Sequence, residues 1–273
     1  MPEGHALHRL ATLHQRRYAG GTVRVSSPQG RFAREAALVD NRTLLRVEAH
    51  GKHLLHVFGP DAIVHVHLGL YGRFEEWELP ETEPVGQVRM RLVGQSHFTD
   101  LRGPTRCEVL TEDEVAALHA RLGPDPLRDD ADPERAWARL SRSRAPIALA
   151  LLDQSVLSGV GNAYRAELLF RHGVPPLRES RLIDRELWSR LWTDLVALMR
   201  VGERTGRIDT VRPEHEPEAM GRPPRHDRHG GEVYVYRRAG MPCLVCGTPV
   251  ATSKLASRNL YWCPTCQADR RAD

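Results

Sequence analysis

The chain has 273 residues, 41% hydrophobic and 27% charged, which is ordinary for a folded protein with room for two domains and excludes disorder throughout. The net charge is only +4, but after Val233 the bases Arg237, Arg238, Lys254, Arg258, Arg270 and Arg271 face only Asp269 and Asp273. That C-terminal excess suits a polyanion partner or, equally, a solvated face.

No apolar run reaches membrane-spanning length and the N-terminus lacks the apolar core of a signal peptide, so the expectation is a cytoplasmic protein with no membrane partner. Four of the five cysteines stand in two close pairs and Cys107 stands apart. That usage points to a metal site and away from a disulfide framework.

Met1-Pro2-Glu3-Gly4 opens the chain. Small Pro2 predicts removal of Met1, which would leave a secondary amine at the terminus. Terminal amines titrate near ~7.7–8.0, so a neutral, nucleophilic fraction exists at pH 7. Pro2 would otherwise simply start a helix, and Glu3 would be a helix-dipole partner. Leu7, Leu10, Leu13 and Tyr18 recur at helical spacing and predict an amphipathic helix through Tyr18.

After Tyr18 the period changes. Runs at Thr43–Glu48, His53–Phe58, Ile63–Leu68, Val88–Val93 and Cys107–Leu110 are rich in β-branched residues and are separated by Gly, Pro or Asp, as in a sheet sandwich. Lys52 falls in the turn between two runs, beside Gly51, where a lysine is ordinarily just solvated. His65-Val66-His67-Leu68-Gly69-Leu70-Tyr71-Gly72 ends a strand in a glycine-flanked loop that displays Leu70 and Tyr71, unless Leu70 turns inward. His65 and His67 invite a metal reading, but without identifiable partners they are assigned none.

Thr111-Glu112-Asp113-Glu114 is a capping box opening a helix to about Arg121. Residues 1–122 therefore read as an N-terminal β-sandwich domain flanked by helices, and 123–131, rich in Pro and Asp, as a linker. Asp132-Pro133 starts a helical domain over 132–208, whose stripe Trp188, Leu191, Leu195, Leu198 is core. Within it Leu151 to Phe170 breaks at Ser158-Gly159-Val160-Gly161, after which Asn162 is expected to cap a second helix. Such a turn can hold a phosphate through its amides and Asn162, or it can be a corner that needs glycine only for geometry. Residues 209–232, with few large apolar side chains, are expected to be a mobile loop or plain linker.

The last segment, 233–273, holds Cys243-Leu-Val-Cys246 and Cys263-Pro-Thr-Cys266. Four thiolates in two pairs fit one structural, tetrahedral Zn2+ with no open position for catalysis. Between them, Ala256 to Trp262 predicts a hairpin carrying Arg258, whose forked donors suit a phosphate but also occur as ordinary surface charge.

Taken together, LSGVGNAYRAELLF, the MPEG N-terminus, Gly51-Lys52-His53-Leu54-Leu55, Leu122-Gly123-Pro124-Asp125-Pro126-Leu127 and the four cysteines resemble the formamidopyrimidine-DNA glycosylase and endonuclease VIII family, most like an endonuclease VIII-type member. The resemblance implies an α+β fold: a β-sandwich domain, a helix–two-turns–helix domain and a zinc finger. It also implies a monomeric enzyme of base excision repair acting on damaged DNA, with glycosylase and AP lyase activities and no catalytic metal or organic cofactor. Pro2 would attack the sugar C1′, Glu3 would move protons, and Lys52, Asn162 and Arg258 would hold phosphates. Leu70 and Tyr71 would fill the void left by a flipped base, and Arg102 would reach the opposite strand. Arg102 is followed by Gly103-Pro104, where purine-specific members carry an Arg-Phe wedge, so oxidised pyrimidines are the expected substrates. Two alternatives remain open. One is an oxidised-purine enzyme; the other is a non-catalytic zinc-finger DNA-binding paralogue, favoured by His5 and Ala6 where the family often has proline and glutamate.

Overall fold

Strand-forming runs in the first half of the chain pair antiparallel, and helical periodicity dominates the second half until the cysteines. The structure is a computed structural model that describes residues 2–227 and 231–269. Met1, within 209–232 the residues Arg228 to Gly230, and the basic tail from Arg270 lie outside the described residues. The chain divides into two compact units, one ending at Arg121 and the other beginning at Leu122.

The first unit runs α1 (Gly4–Tyr18), β1 (Thr22–Ser26), α2 (Ala33–Val39), β2 (Arg42–Thr43), β3 (Arg46–His50), β4 (His53–Gly59), β5 (Ala62–His67), β6 (Arg73–Glu78), β7 (Val88–Val93), β8 (His97–Arg102), β9 (Arg106–Leu110) and α3 (Glu112–Arg121). Among the described residues its strands form a five-stranded sheet, β2-β1-β7-β8-β6, and a four-stranded sheet, β3-β4-β5-β9. One core takes Val23, Val25, Met90, Leu92 and Leu101 from the first sheet and Leu54, Val64 and Val66 from the second, together with Leu7 and Ala11 of α1. The β-sandwich reading therefore describes this unit.

Its strand assignments need correction. The run Thr43–Glu48 is not one strand: the chain changes sheets at Leu44-Leu45, so β2 and β3 belong to different sheets. β6 and β8, RFEEWE and HFTDLR, escaped a reading based on apolar alternation, because β6 buries no residue fully and carries three glutamates, while the buried positions of β8 include charge. Asp100 on β8 receives both arms of Arg91 at 2.7 and 3.0 Å with both residues buried, and Arg91 also stacks over Phe98 at 4.8 Å. The capping box stands as expected: the Thr111 N–H donates to Glu114 at 2.9 Å and the Glu114 N–H to the Thr111 hydroxyl at 3.2 Å.

The second unit contains α4 (Pro133–Leu140), α5 (Ile147–Ala150), α6 (Asn162–Arg171), α7 (Arg185–Thr205), α8 (Pro217–Met220) and the hairpin β10 (Ala251–Leu255)–β11 (Arg258–Trp262). Asp132 caps α4 and Asp184 caps α7, each accepting a backbone N–H, and Gly206 ends α7 at φ 74°. Trp188, Leu191, Leu195 and Leu198 are buried in the unit's core, as the stripe requires. The ends of the 209–232 segment bond to each other: the Thr210 N–H donates to the Glu232 carbonyl and the Glu232 N–H to Asp209, both at 2.8 Å. No helix among the described residues is long and apolar enough to cross a membrane.

Candidate functional site

In the first unit the helix signal and the chemistry signal separate at the N-terminus. α1 begins at Gly4 with Glu3 in the N-cap position, so Pro2 lies one residue outside the helix and does not serve as a helix-initiating proline. Glu3 is buried at 3% exposure, and its side chain makes no cap hydrogen bond to α1. A carboxylate that is buried and does not cap is poorly explained by the helix dipole alone.

Lys52 sits in the two-residue turn joining β3 to β4. Gly51 adopts φ 58° there, as the first central residue of a tight hairpin turn commonly must. The register pairs His50 with His53, and His53 with His67, so one sheet face beside Lys52 is lined with imidazoles. His65 Nδ1 lies 3.0 Å from Glu108, and His65 Nε2 lies 2.8 Å from His53 Nδ1. A carboxylate can only accept, so His65 carries its proton on Nδ1. Its Nε2 then accepts from His53 Nδ1–H, and Nε2 of His53 is left as an acceptor.

The cluster is held neutral. Burial lowers His53 to about 3, helped by the neighbouring His65, His67, His50 and His119. Burial also lowers His65 against the opposing pull of Glu108, and it lowers His67 together with His65, Lys52 and Arg106. The sequence showed the His65/His67 alternation but could not supply Glu108, which lies 43 positions from His65.

Leu70 and Tyr71 do project from their loop, at 57% and 81% exposure. The flanking glycines make that possible: a Cβ on Gly69 would meet the Thr105 hydroxyl at 1.8 Å, and one on Gly72 would meet the Leu68 carbonyl at 2.3 Å. Arg102, the residue expected to reach the opposite strand, is ion-paired. It lies on β8, not in a free loop, and its guanidinium is taken up by Glu75 at 2.7 Å, Asp100 at 3.0 Å and the Val85 carbonyl. Cys107 is an inert thiol, pushed up to about 12 chiefly by burial.

In the second unit α6 ties the pieces together. Two turns separate α5 from α6, braced by Gln154: its amide N–H groups donate to Leu152 and Val160 carbonyls at 2.9 and 3.0 Å, and its oxygen accepts the Gly159 N–H at 3.0 Å. Asn162 is the first helical residue, with Gly161 in the N-cap position, so it does not cap α6 as expected. Its side chain instead donates to the Asn259 carbonyl at 2.9 Å and accepts from Arg165. Fully buried Arg165 donates to the same Asn259 carbonyl at 2.9 Å, fastening α6 to β11 next to Arg258. One helical turn on, buried Glu167 accepts from the Thr210 hydroxyl at 2.6 Å and from the N–H groups of Tyr234, Val235 and Tyr236 at 2.7, 2.8 and 2.7 Å.

Arg258 is exposed and opens β11 directly after Ala256 and Ser257, whose φ angles are 47° and 63°. The four cysteine sulfurs lie within 4.8 Å of one another. Cys246–Cys263 and Cys243–Cys266 are 3.4 and 3.9 Å apart, far beyond a disulfide and near the ~3.8 Å that Zn–S bonds of about 2.3 Å impose in a tetrahedron. Burial raises the thiols of Cys243 and Cys266, so it takes a bound cation to hold all four sulfurs as thiolates. The donor set fits zinc.

Residues 1–107 match the formamidopyrimidine-DNA glycosylase N-terminal domain, 122–212 the formamidopyrimidine-DNA glycosylase H2TH domain, and 240–268 the zinc finger found in FPG and IleRS. Over 271 residues the chain is 55% identical to Endonuclease 8 1 of Mycobacterium tuberculosis, covering 98% of this chain and all of that protein. The chain belongs to the formamidopyrimidine-DNA glycosylase and endonuclease VIII family. Within that family it is also 34% identical to the probable endonuclease 8 2 of Streptomyces coelicolor, over 98% of this chain and 94% of that one. It is 33% identical to the formamidopyrimidine-DNA glycosylase of Parasynechococcus marenigrum, over 80% and 79% of the two chains. The fold matches the family's solved structures: MutM (Fpg) from Thermus thermophilus with TM-score 0.77 and 29% identity, over 99% of this chain and all of that one. Lactococcus lactis Fpg bound to AP-site DNA gives 0.78 at 19% identity, over 98% of this chain and all of that one.

Proposed function

We propose that the chain is a bifunctional DNA glycosylase and AP lyase of base excision repair that removes oxidised pyrimidines as a monomer. After loss of Met1 the Pro2 nitrogen attacks C1′ of the damaged nucleotide and the base leaves with the bonding electrons. The adduct of a secondary amine is an iminium with no N–H to lose, so it stays cationic and withdraws electrons from C2′. Loss of a C2′ proton drives β-elimination of the 3′ phosphate, and a second elimination releases the 5′ phosphate. Glu3 protonates the ring oxygen during opening and carries protons afterwards. Lys52 holds a phosphate next to the reacting sugar, and Leu70 and Tyr71 enter the stack in place of the flipped base.

In the second unit, Arg258 and a remaining N–H of Asn162 grip the backbone. Zinc on Cys243, Cys246, Cys263 and Cys266 has a structural role: it fixes the base of the hairpin that presents Arg258. The pyrimidine preference is supported by the missing aromatic after Arg102 and by the likeness to proteins named endonuclease 8.

The observation that carries this reading is the pairing of an extrahelical Pro2 with a buried, non-capping Glu3. Borohydride reduction during reaction with lesion-bearing DNA is expected to trap a covalent complex whose adduct maps to Pro2 by mass spectrometry. A panel of oxidised pyrimidines and purines reads out specificity at the same time. An adduct on Lys52 or another lysine would refute the nucleophile, and no adduct with any lesion would favour a non-catalytic paralogue.

A further inference from the structure

Beside the two-turn segment, the second unit carries a half-open pocket of about 280 Å³ lined by Gly123, Pro124, Arg135, Ala138, Arg139, Arg142 and Ser155. Three arginines line it and no carboxylate does. Arg135, Arg139 and Arg142 follow one another at helical spacing along α4 and just beyond its end. Like charges at such spacings disfavour a helix by a few tenths of a kcal/mol per pair in isolated helices.

The surroundings make this arrangement informative. Elsewhere in the unit arginines are commonly ion-paired: Arg128 with Asp130, Arg171 with Asp194, Arg178 with Asp269, Arg200 with Asp129. Glu134, the carboxylate on α4 itself, pairs with Arg185 on α7 and not with a pocket arginine. Among the described residues none of the three pocket arginines has an acidic partner. Arg139 is nevertheless anchored, donating through Nη1 to the Ser155 carbonyl at 2.6 Å, so Nη2 and Nε remain to meet a ligand. The wall opposite is backbone: a Cβ on Gly123 would run into the Val156 carbonyl at 2.4 Å. The Gly123 N–H donates to the Gln154 carbonyl at 2.9 Å and the Ser158 N–H to the Pro124 carbonyl at 3.1 Å, which joins the pocket to the turn leading into α6.

We propose that this pocket is a phosphate subsite, filled by a backbone phosphate of the DNA strand held at the two-turn segment. Forked guanidinium donors match phosphate oxygens, and an anion among three uncompensated cations relieves their mutual repulsion. The inference rests on the DNA-binding reading of the second unit and extends its footprint to α4.

The test replaces Arg139 and Arg142 together by glutamine in the full-length, zinc-loaded protein, with Arg142→Gln alone as a milder companion. Because repulsion is relieved, thermal stability is expected to hold or rise. DNA affinity is expected to fall several-fold, alike for all sequences and lesions, with the slope of log affinity against log salt shallower by about one unit. The single-turnover rate on saturating DNA should stay at the parent value.

If both variants keep the parent's affinity and slope while Arg258→Ala loses affinity, the subsite is wrong and the DNA reading survives. If Arg258→Ala also binds like the parent, the DNA reading of this unit falls with it. A titration of the free protein with pyrophosphate, followed by arginine Nε–H NMR signals, separates the sources of phosphate. Loss of pyrophosphate binding in the double variant, with DNA binding intact, would assign the pocket to a free phosphorylated molecule and overturn the DNA assignment.

Discussion

The two units solve the same problem, polar groups in a core, with different chemistry. Apart from the buried Arg91–Asp100 pair, the first unit uses imidazoles. His14 on α1 and His56 on β4 are both buried and lie 2.9 Å apart, with Phe74 edge-on to His14 at 4.8 Å. Burial lowers His14 well below its ordinary value, assisted by His56, and lowers His56 to about 4. The second unit buries full charges, Glu167 on four donors and Arg165 on carbonyls, and Asp194 sits between Arg171 and His172. A neutral imidazole core fails when it gains a proton; a carboxylate on fixed donors fails when it loses its charge or its side chain. The helix leading from Pro2 and Glu3 thus docks through an acid-sensitive contact, whereas the frame that presents Arg258 is built on ionic hydrogen bonds.

The sharpest way to break this contrast is to remove zinc. Chelation is expected to loosen β10–β11 and abolish tight DNA binding while β1–β9 keep their protection from amide exchange, because structural zinc contributes on the order of 10 kcal/mol in finger peptides. Metal analysis finding no zinc in freshly purified protein, or equal loosening in both units, would contradict it.

Next in size is Glu167→Ala. It strands three buried N–H groups and leaves the Thr210 hydroxyl only the Glu232 carbonyl at 3.3 Å, and should cost about 3–5 kcal/mol, confined to the second unit. Denaturant unfolding gives the total and exchange by residue gives the location; a loss below about 1 kcal/mol would show that water replaces the carboxylate.

Acid tests the first unit. For His14 and His56 the folded-state pKa lies below the unfolded value near ~6.5, so the unfolded chain binds more protons and stability falls as pH drops below that value. Each contributes up to about 1.4 kcal/mol per pH unit until its folded pKa is reached, about 4 for His56. Asp194 also loses its contribution as pH falls, but in a lower window. Burial would raise it, but hydrogen bonds from His172 and Arg171 outweigh that and hold it well below the carboxylate range. Its stabilisation persists above its unfolded value near ~3.9 and is lost only as pH falls through the folded one. Exchange between pH 6.5 and 4 should therefore open α1 and β4 before α6 and α7; simultaneous opening would remove the distinction.

The smallest expected effect is at the hairpin tip. Ala256 and Ser257 both hold positive φ, a conformation suited to Asn-Gly and strained for other residues. Replacing them by Asn and Gly should stabilise β10–β11 by about 1 kcal/mol and leave the first unit's acid response unchanged. A destabilised hairpin would mean that Ala256 or Ser257 makes a contact the backbone geometry does not account for.

Much of this protein is legible residue by residue. The capping box at Thr111, the stripe from Trp188 to Leu198, the apolar strands β4, β5 and β7 and the cysteine pairs all rest on local periodicity or spacing. Local backbone preference is set by near neighbours in sequence, so these readings needed no partner. Pro2-Glu3, Lys52, Leu70-Tyr71 and Arg258 could be named from the sequence for the same reason, since each stands in a short pattern. Tertiary structure decided everything that depends on which distant residues meet: that Arg102 is bound by Glu75 and Asp100, that Asn162 bonds the hairpin and leaves the cap position to Gly161, that Glu108 sets the protons of His65 and His53. It also decided that β8 is a strand, because Arg91 and Asp100 compensate each other's burial only once β7 and β8 lie side by side. A buried charge is affordable or ruinous according to its partner, and partners brought together by folding leave no mark in local sequence.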